Sequence, residues 1–205
     1  MPLPVDPEEQ RETLAHYLVF DQTVGENGFN FFQPRVGIDG STISRDFEAH
    51  IAVVQSRDRQ SGQPASGVDV IGEVAKTFNE RVTLYAYRYQ GQRRIHTERD
   101  SFYRDGYGAG QVFGKLDVIG VLQRGNDTYV PGPAISSGGF LEARYAFSPA
   151  LKAIARYDRA SDALSGAQSA TVLTLVTRPR RNMRFTIEDE ITDHHTLNLG
   201  WLFAY

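Results

Sequence analysis

The chain has no cysteine among its 205 residues, so disulfides, thiolate metal sites and cysteine nucleophiles are excluded together. It also lacks any apolar run near the roughly 18 residues a membrane-spanning helix needs, and its mean hydropathy of -0.39 is too polar for a helical membrane protein. Neither shortage counts against strands, which cross a bilayer in about 9–11 residues and turn only half of them to lipid. Basic charge is not in excess: 22 Lys and Arg stand against 25 Asp and Glu, for a net charge of -3. That leaves no field to attract nucleic acid. The first residues, Met1 to Pro7, lack the basic and apolar regions of a secretory signal. An exported protein with this start is expected to be a processed chain, or one whose upstream part is missing.

Strand-like alternation fills most of the sequence. Residues 1–12 hold three prolines and several acids and read as a tail; residues 14–22 read as a weakly patterned strand. From Phe32 onward apolar and polar positions alternate with period two. The clearest case is Leu141, Ala143, Tyr145 and Phe147, a turn at Ser148 and Pro149, then Leu151, Ala153, Ala155 and Tyr157. Tight turns fall near residues 45, 79, 114, 148 and 180, so the repeating unit is a hairpin of 32 to 35 residues. Phe78, Phe113 and Phe147 each stand just before a tight turn, and the other connections, such as 56–66, 92–101 and 124–137, read as long polar loops. The count comes to about 12 strands, all antiparallel and each beside the next. Period two does not say which face is wet, so a soluble β-sandwich binding module stays open as an alternative. The many small residues on the apolar phase (Ala49, Gly72, Ala86, Gly120, Ala143, Ala153) favour lipid over a tightly packed core.

The C-terminus is distinctive. Leu197, Leu199, Trp201, Phe203 and Tyr205 share one strand face, and such an edge must be covered by another sheet or by lipid. A polar residue, Gly two further on, then aromatics three and five beyond it with the last one terminal, are filled by Asn198, Gly200, Phe203 and Tyr205. In this the chain resembles bacterial outer-membrane β-barrel proteins of the porin kind, whose assembly signal has that form. The resemblance covers about residues 30–205. It implies an all-β, up-and-down transmembrane β-barrel from residue 13 to 205, whole or the C-terminal portion of a larger barrel, with short periplasmic turns and longer extracellular loops. It also implies outer-membrane lipid and the barrel-assembly machinery as partners, with a homo-oligomer or a periplasmic or cytochrome partner as further candidates. No cofactor is expected.

On this reading the mixed phase lines a polar lumen. Its members are Arg35, Asp39, Glu48, His50, Asp69, Glu73, Arg81, Tyr85, Glu142, Arg144, Lys152, Arg156, Asp158, Arg184 and Glu188. Acids and bases nearly balance, so strong ion selectivity is not expected, and an open passage and a salt-bridged plug both fit. The expected function is a porin-like channel for ions or small polar solutes, or else a structural barrel that sheathes or anchors a partner, such as the barrel of a porin and cytochrome conduit. An enzyme is not expected. A lipid hydrolase would need an activated hydroxyl beside a histidine, and His50 is the one histidine of the inward phase in a well-patterned strand, with no serine to pair. His194 and His195 are adjacent in a loop and point apart, so no metal site is expected.

Overall fold

The structure is a computed structural model that describes residues 12–20, 23–24, 27–28, 36–57, 64–95, 98–129, 132–163 and 166–203. Two short strands, β1 (Thr23–Val24) and β2 (Asn27–Gly28), pair only with each other. The other strands are β3 (Gly37–Ile43), β4 (Phe47–Arg57), β5 (Pro64–Phe78), β6 (Val82–Ile95), β7 (Glu98–Phe113), β8 (Leu116–Tyr129), β9 (Gly132–Ser148), β10 (Leu151–Asp162), β11 (Gly166–Arg180), β12 (Met183–Ile191) and β13 (His195–Phe203). These eleven form one antiparallel up-and-down sheet in strict chain order. A sandwich would need a second facing sheet, and the described strands do not provide one.

Two expectations need correction. Residues 14–20, the described part of the expected first strand, do not enter the sheet, which therefore has eleven described strands rather than twelve. Two of the expected long loops, 92–101 and 124–137, are mostly strand: β6 runs to Ile95 and β7 begins at Glu98, while β8 runs to Tyr129 and β9 begins at Gly132. The cause is chemical. Where both faces of a strand are polar, backbone pairing continues but the apolar alternation that reveals it is gone. The tight turns fall where expected. At the β5–β6 turn Asn79 and Glu80 both have positive φ, 49° and 56°, the conformation of a type I′ hairpin. Glycine suits the second position better than glutamate, so Glu80→Gly should stabilise the fold by roughly 1 kcal/mol. This outweighs loss of the exposed Arg45–Glu80 pair, and urea unfolding of detergent-refolded protein would measure it.

The two faces of the sheet are inverted relative to a soluble protein. One face is apolar and exposed: Leu84, Leu122, Leu141, Leu173, Leu197, Leu199 and Trp201 all lie on it, Leu122 at 72% and Trp201 at 70% exposure. Phe47, Phe78, Phe113 and Phe147 mark its tight-turn end. The other face buries Arg104, Asp127, Glu142, Arg156, Asp158 and Glu188 completely or nearly so. The sheet is curled around this polar face, since side chains bridge strands that are not neighbours. Tyr85 donates to the Gly120 carbonyl at 2.7 Å and Tyr87 to Gln123 at 2.6 Å, both reaching from β6 over β7 to β8. The intervening strand must be flat for this. A Cβ at Gly106 or Gly108 would lie about 2 Å from the Tyr87 or Tyr85 ring, so the glycine-rich stretch of β7 is the floor under two tyrosines.

Candidate functional site

Residues 12–20 lie on the polar face as an irregular segment, with Val19 and Phe20 fully buried. Backbone buried outside a helix or ladder needs partners for its N–H and C=O groups, and here the strands supply them from side chains. Glu188 of β12 accepts from the Leu14 N–H at 2.7 Å and the Ala15 N–H at 2.6 Å. Arg156 of β10 donates to the Ala15 and His16 carbonyls, each at 3.0 Å, and to the Thr13 hydroxyl at 2.8 Å. Gln123 of β8 donates to the Val19 carbonyl at 3.0 Å. Apolar contacts finish the seat. Phe20 packs on Tyr17, Tyr87 and Phe140, and Leu14 rests on Gly200, where a Cβ would meet its side chain at 2.6 Å.

Beneath the segment runs an ionic network. Arg156 lies 2.6 Å from Asp158 and 3.7 Å from Glu142, and its guanidinium stands 3.9 Å above the Tyr17 ring. Glu142 also pairs with Arg144 and accepts the Tyr17 hydroxyl at 2.9 Å. Further round the curl, Arg104 and Asp127 form a second fully buried pair at 2.9 Å. Tyr89 donates to Asp69 at 2.6 Å, and Ser56 donates to the same carboxylate.

At the start of the segment Glu12 is gripped by Lys152 and Arg178, both at 2.6 Å. Burial works against its charge, but the Lys152 hydrogen bond and the charges of Lys152, Arg178 and Arg144 outweigh it and hold its carboxyl below the ordinary glutamate value of 4.5. The bound pKa lies below the released one. The clamp is therefore fully present above pH 4.5 and is lost as pH falls through the depressed value. Pepsin cleavage at Tyr17 to Phe20, followed from about pH 4 down to about pH 2, should accelerate as the clamp titrates, and Glu12→Gln should flatten that dependence.

The polar face gathers most of the residues expected from sequence to line a lumen. Glu48, His50, Asp69, Glu73, Tyr85, Glu142, Arg144, Lys152, Arg156, Asp158, Arg184 and Glu188 sit on it, and Asp39 is on the same side of the edge strand β3, exposed. Arg81 lies instead in the β5–β6 turn and is exposed. Arg35 and Tyr205 fall outside the described residues. Asn198 and Gly200 are on the polar face of β13 and Phe203 on the apolar one. Ser41 stands opposite His50 in register, a serine not paired with it from sequence. The two His50 ring nitrogens lie near carboxylates, Nε2 3.5 Å from Asp39 and Nδ1 3.8 Å from Glu73, so neither is committed to the hydroxyl. Sequence reasoning also missed Glu12, Gln123, Arg104, Asp127 and Arg178. Arg104 and Asp127 share the phase of Tyr85 and could have been found by extending the β7 and β8 registers.

Neither a protein-family model nor a curated protein matches the sequence. Among solved structures the outer membrane channel DcaP of Acinetobacter baumannii superposes with a TM-score of 0.63 over 82% of this chain. In fold, this chain is similar to an outer-membrane channel. At 8% identity the likeness is one of fold alone, and the chain spans 62% of the channel's length. A channel-like sheet accounts for the inversion: apolar side chains outside, ionic ones within the curl.

Proposed function

We propose that this chain is the wall of a porin-like channel for ions and small polar solutes in a bacterial outer membrane. The observation that carries the reading is the inverted sheet. Its exposed face is a band of Leu, Ile, Val and aromatics, and its enclosed face holds fully buried Arg156, Glu142 and Glu188. Lipid outside and a polar interior satisfy both faces, whereas water outside would leave a large apolar patch uncovered. Similarity in fold to an outer membrane channel supports the same reading. On the enclosed face Asp39, Glu48, Asp69, Glu73, Asp127, Glu142, Asp158 and Glu188 stand against Arg104, Arg144, Lys152, Arg156 and Arg184, so at most a modest preference for cations goes with it.

Planar-bilayer recording of protein refolded in detergent tests this, with heat-modifiable gel mobility to establish folding. Discrete ohmic steps are the expected result. Folded protein that never conducts would overturn the channel reading and favour a barrel that sheathes a partner. The terminal Asn198, Gly200, Phe203 and Tyr205 are proposed as the assembly signal: a chain ending at Leu202 should reach the outer membrane of a bacterial host at a much reduced level, measured by surface proteolysis.

A further inference from the structure

We infer that the groove holding residues 12–20 is a binding site for a short bent peptide, of which the chain's own segment is one exchangeable occupant. The geometry reads the peptide backbone as well as side chains. Two successive N–H groups go to Glu188, two successive carbonyls to Arg156 and a further carbonyl to Gln123. Successive N–H groups of an extended strand point to opposite sides, so this pattern requires the bend at residues 14–15 and the turn closed by the Phe20 N–H on the Tyr17 carbonyl at 3.0 Å. Two features add selectivity. Lys152 and Arg178 hold a carboxylate at the leading end, and Tyr87 and Phe140 take an aromatic at the far end. Between them Tyr17 is held as well, its hydroxyl on Glu142 and its ring under Arg156, and Thr13, Ala15 and Val19 are buried, whereas His16 is exposed and Leu14 and Leu18 are half-buried. The ligand class is therefore a short bent peptide with a carboxylate five residues ahead of a tyrosine and eight ahead of a second aromatic, the spacing of Glu12, Tyr17 and Phe20. The segment is also set apart from the sheet it rests on. It adds no strand to any edge, so leaving the groove breaks side-chain contacts and no ladder.

The groove is tested by binding and does not depend on the channel reading. The full chain, carrying a protease site inserted within residues 29–35, is refolded and then cut, so that the segment is no longer tethered to β3. A labelled synthetic peptide of residues 12–20 is added and its anisotropy followed. Saturable binding to cut protein, with release of the native fragment seen by mass spectrometry, is the expected result, and uncut protein should bind far less because its tethered segment competes. Methylating the peptide nitrogens of Leu14 and Ala15 removes both bonds to Glu188 and should weaken binding by more than about 100-fold. Glu12→Gln in the peptide should weaken it about tenfold, and His16→Ala should change it less than about threefold. Retention of the native fragment against excess peptide would overturn the inference by making the segment a fixed strut. Equal affinity of the methylated peptide would overturn it by removing backbone recognition. A silent bilayer recording beside normal peptide binding would dismiss the channel and leave the groove standing.

Discussion

Arg156→Ala should lower the unfolding free energy of the detergent-refolded protein by about 3–5 kcal/mol, the range for deleting one partner of a buried ion pair. Arg156 and Asp158 are both fully buried, and the Asp158 carboxylate is 2.6 Å from the guanidinium that would be removed. The same change withdraws the donors to the Ala15 and His16 carbonyls and the cation above Tyr17. Buried carbonyls left without donors add to the cost. Replacing both partners with apolar residues of similar size, Arg156→Met with Asp158→Leu, should recover most of the ionic part, since Glu142 keeps Arg144 and Tyr17. Recovery should not be complete, because the segment carbonyls stay unpaired. Urea titration followed by the fluorescence of Trp201, the single tryptophan, measures each variant. A cost below about 1 kcal/mol for the single change is the value of a solvated surface pair and would refute a dry interior at this point.

Which parts of this arrangement could be read in the sequence depends on where lipid-like contrast exists. Around Leu141 to Asp158 every second residue is apolar and its neighbours are Glu142, Arg144, Lys152, Arg156 and Asp158, so face and register follow directly from period two. Toward the far end of β7 and β8 that contrast fails. Tyr103, Asp105, Asn126 and Thr128 on the outer face are polar or amphipathic, like Arg104 and Asp127 on the inner one. The strands therefore passed for loops, and a buried ion pair went with them. The N-terminal segment was illegible for a different reason. Its hydrogen-bond partners on the sheet lie 104 to 174 residues away along the chain, and it forms no ladder whose periodicity could be seen. Leu14, Tyr17, Val19 and Phe20 looked like a strand because burial on all sides and burial on one face both select apolar residues. The tail residue Glu12 gave no signal at all until Lys152 and Arg178 closed on it.

Glu188→Ala should raise single-channel conductance by loosening the segment on the enclosed face. Glu188 holds two backbone N–H groups through charge-assisted bonds of 2.7 and 2.6 Å, each worth about 1.5–3 kcal/mol. Their joint loss is about 3–6 kcal/mol, and about 5.5 kcal/mol suffices to turn a 99:1 occupancy into 1:99. Arg156 on the Thr13 hydroxyl and the Ala15 and His16 carbonyls, the Glu12 clamp, Gln123 on the Val19 carbonyl and the Phe20 cluster remain, so the segment should loosen around Leu14 and Ala15 rather than leave. Because the chain has no native cysteine, the effect can be reversed cleanly. Leu14 lies against Gly200, so a Leu14→Cys and Gly200→Cys pair added to Glu188→Ala should form a unique disulfide tying the segment to β13. Oxidation should return conductance to the unsubstituted level, and reduction should raise it again. If conductance rises with Glu188→Ala but ignores the disulfide, the change comes from the altered charge of the wall and not from movement of the segment. If it does not rise at all, solute passes the enclosed face with residues 12–20 in place, and the segment is part of the permanent lining.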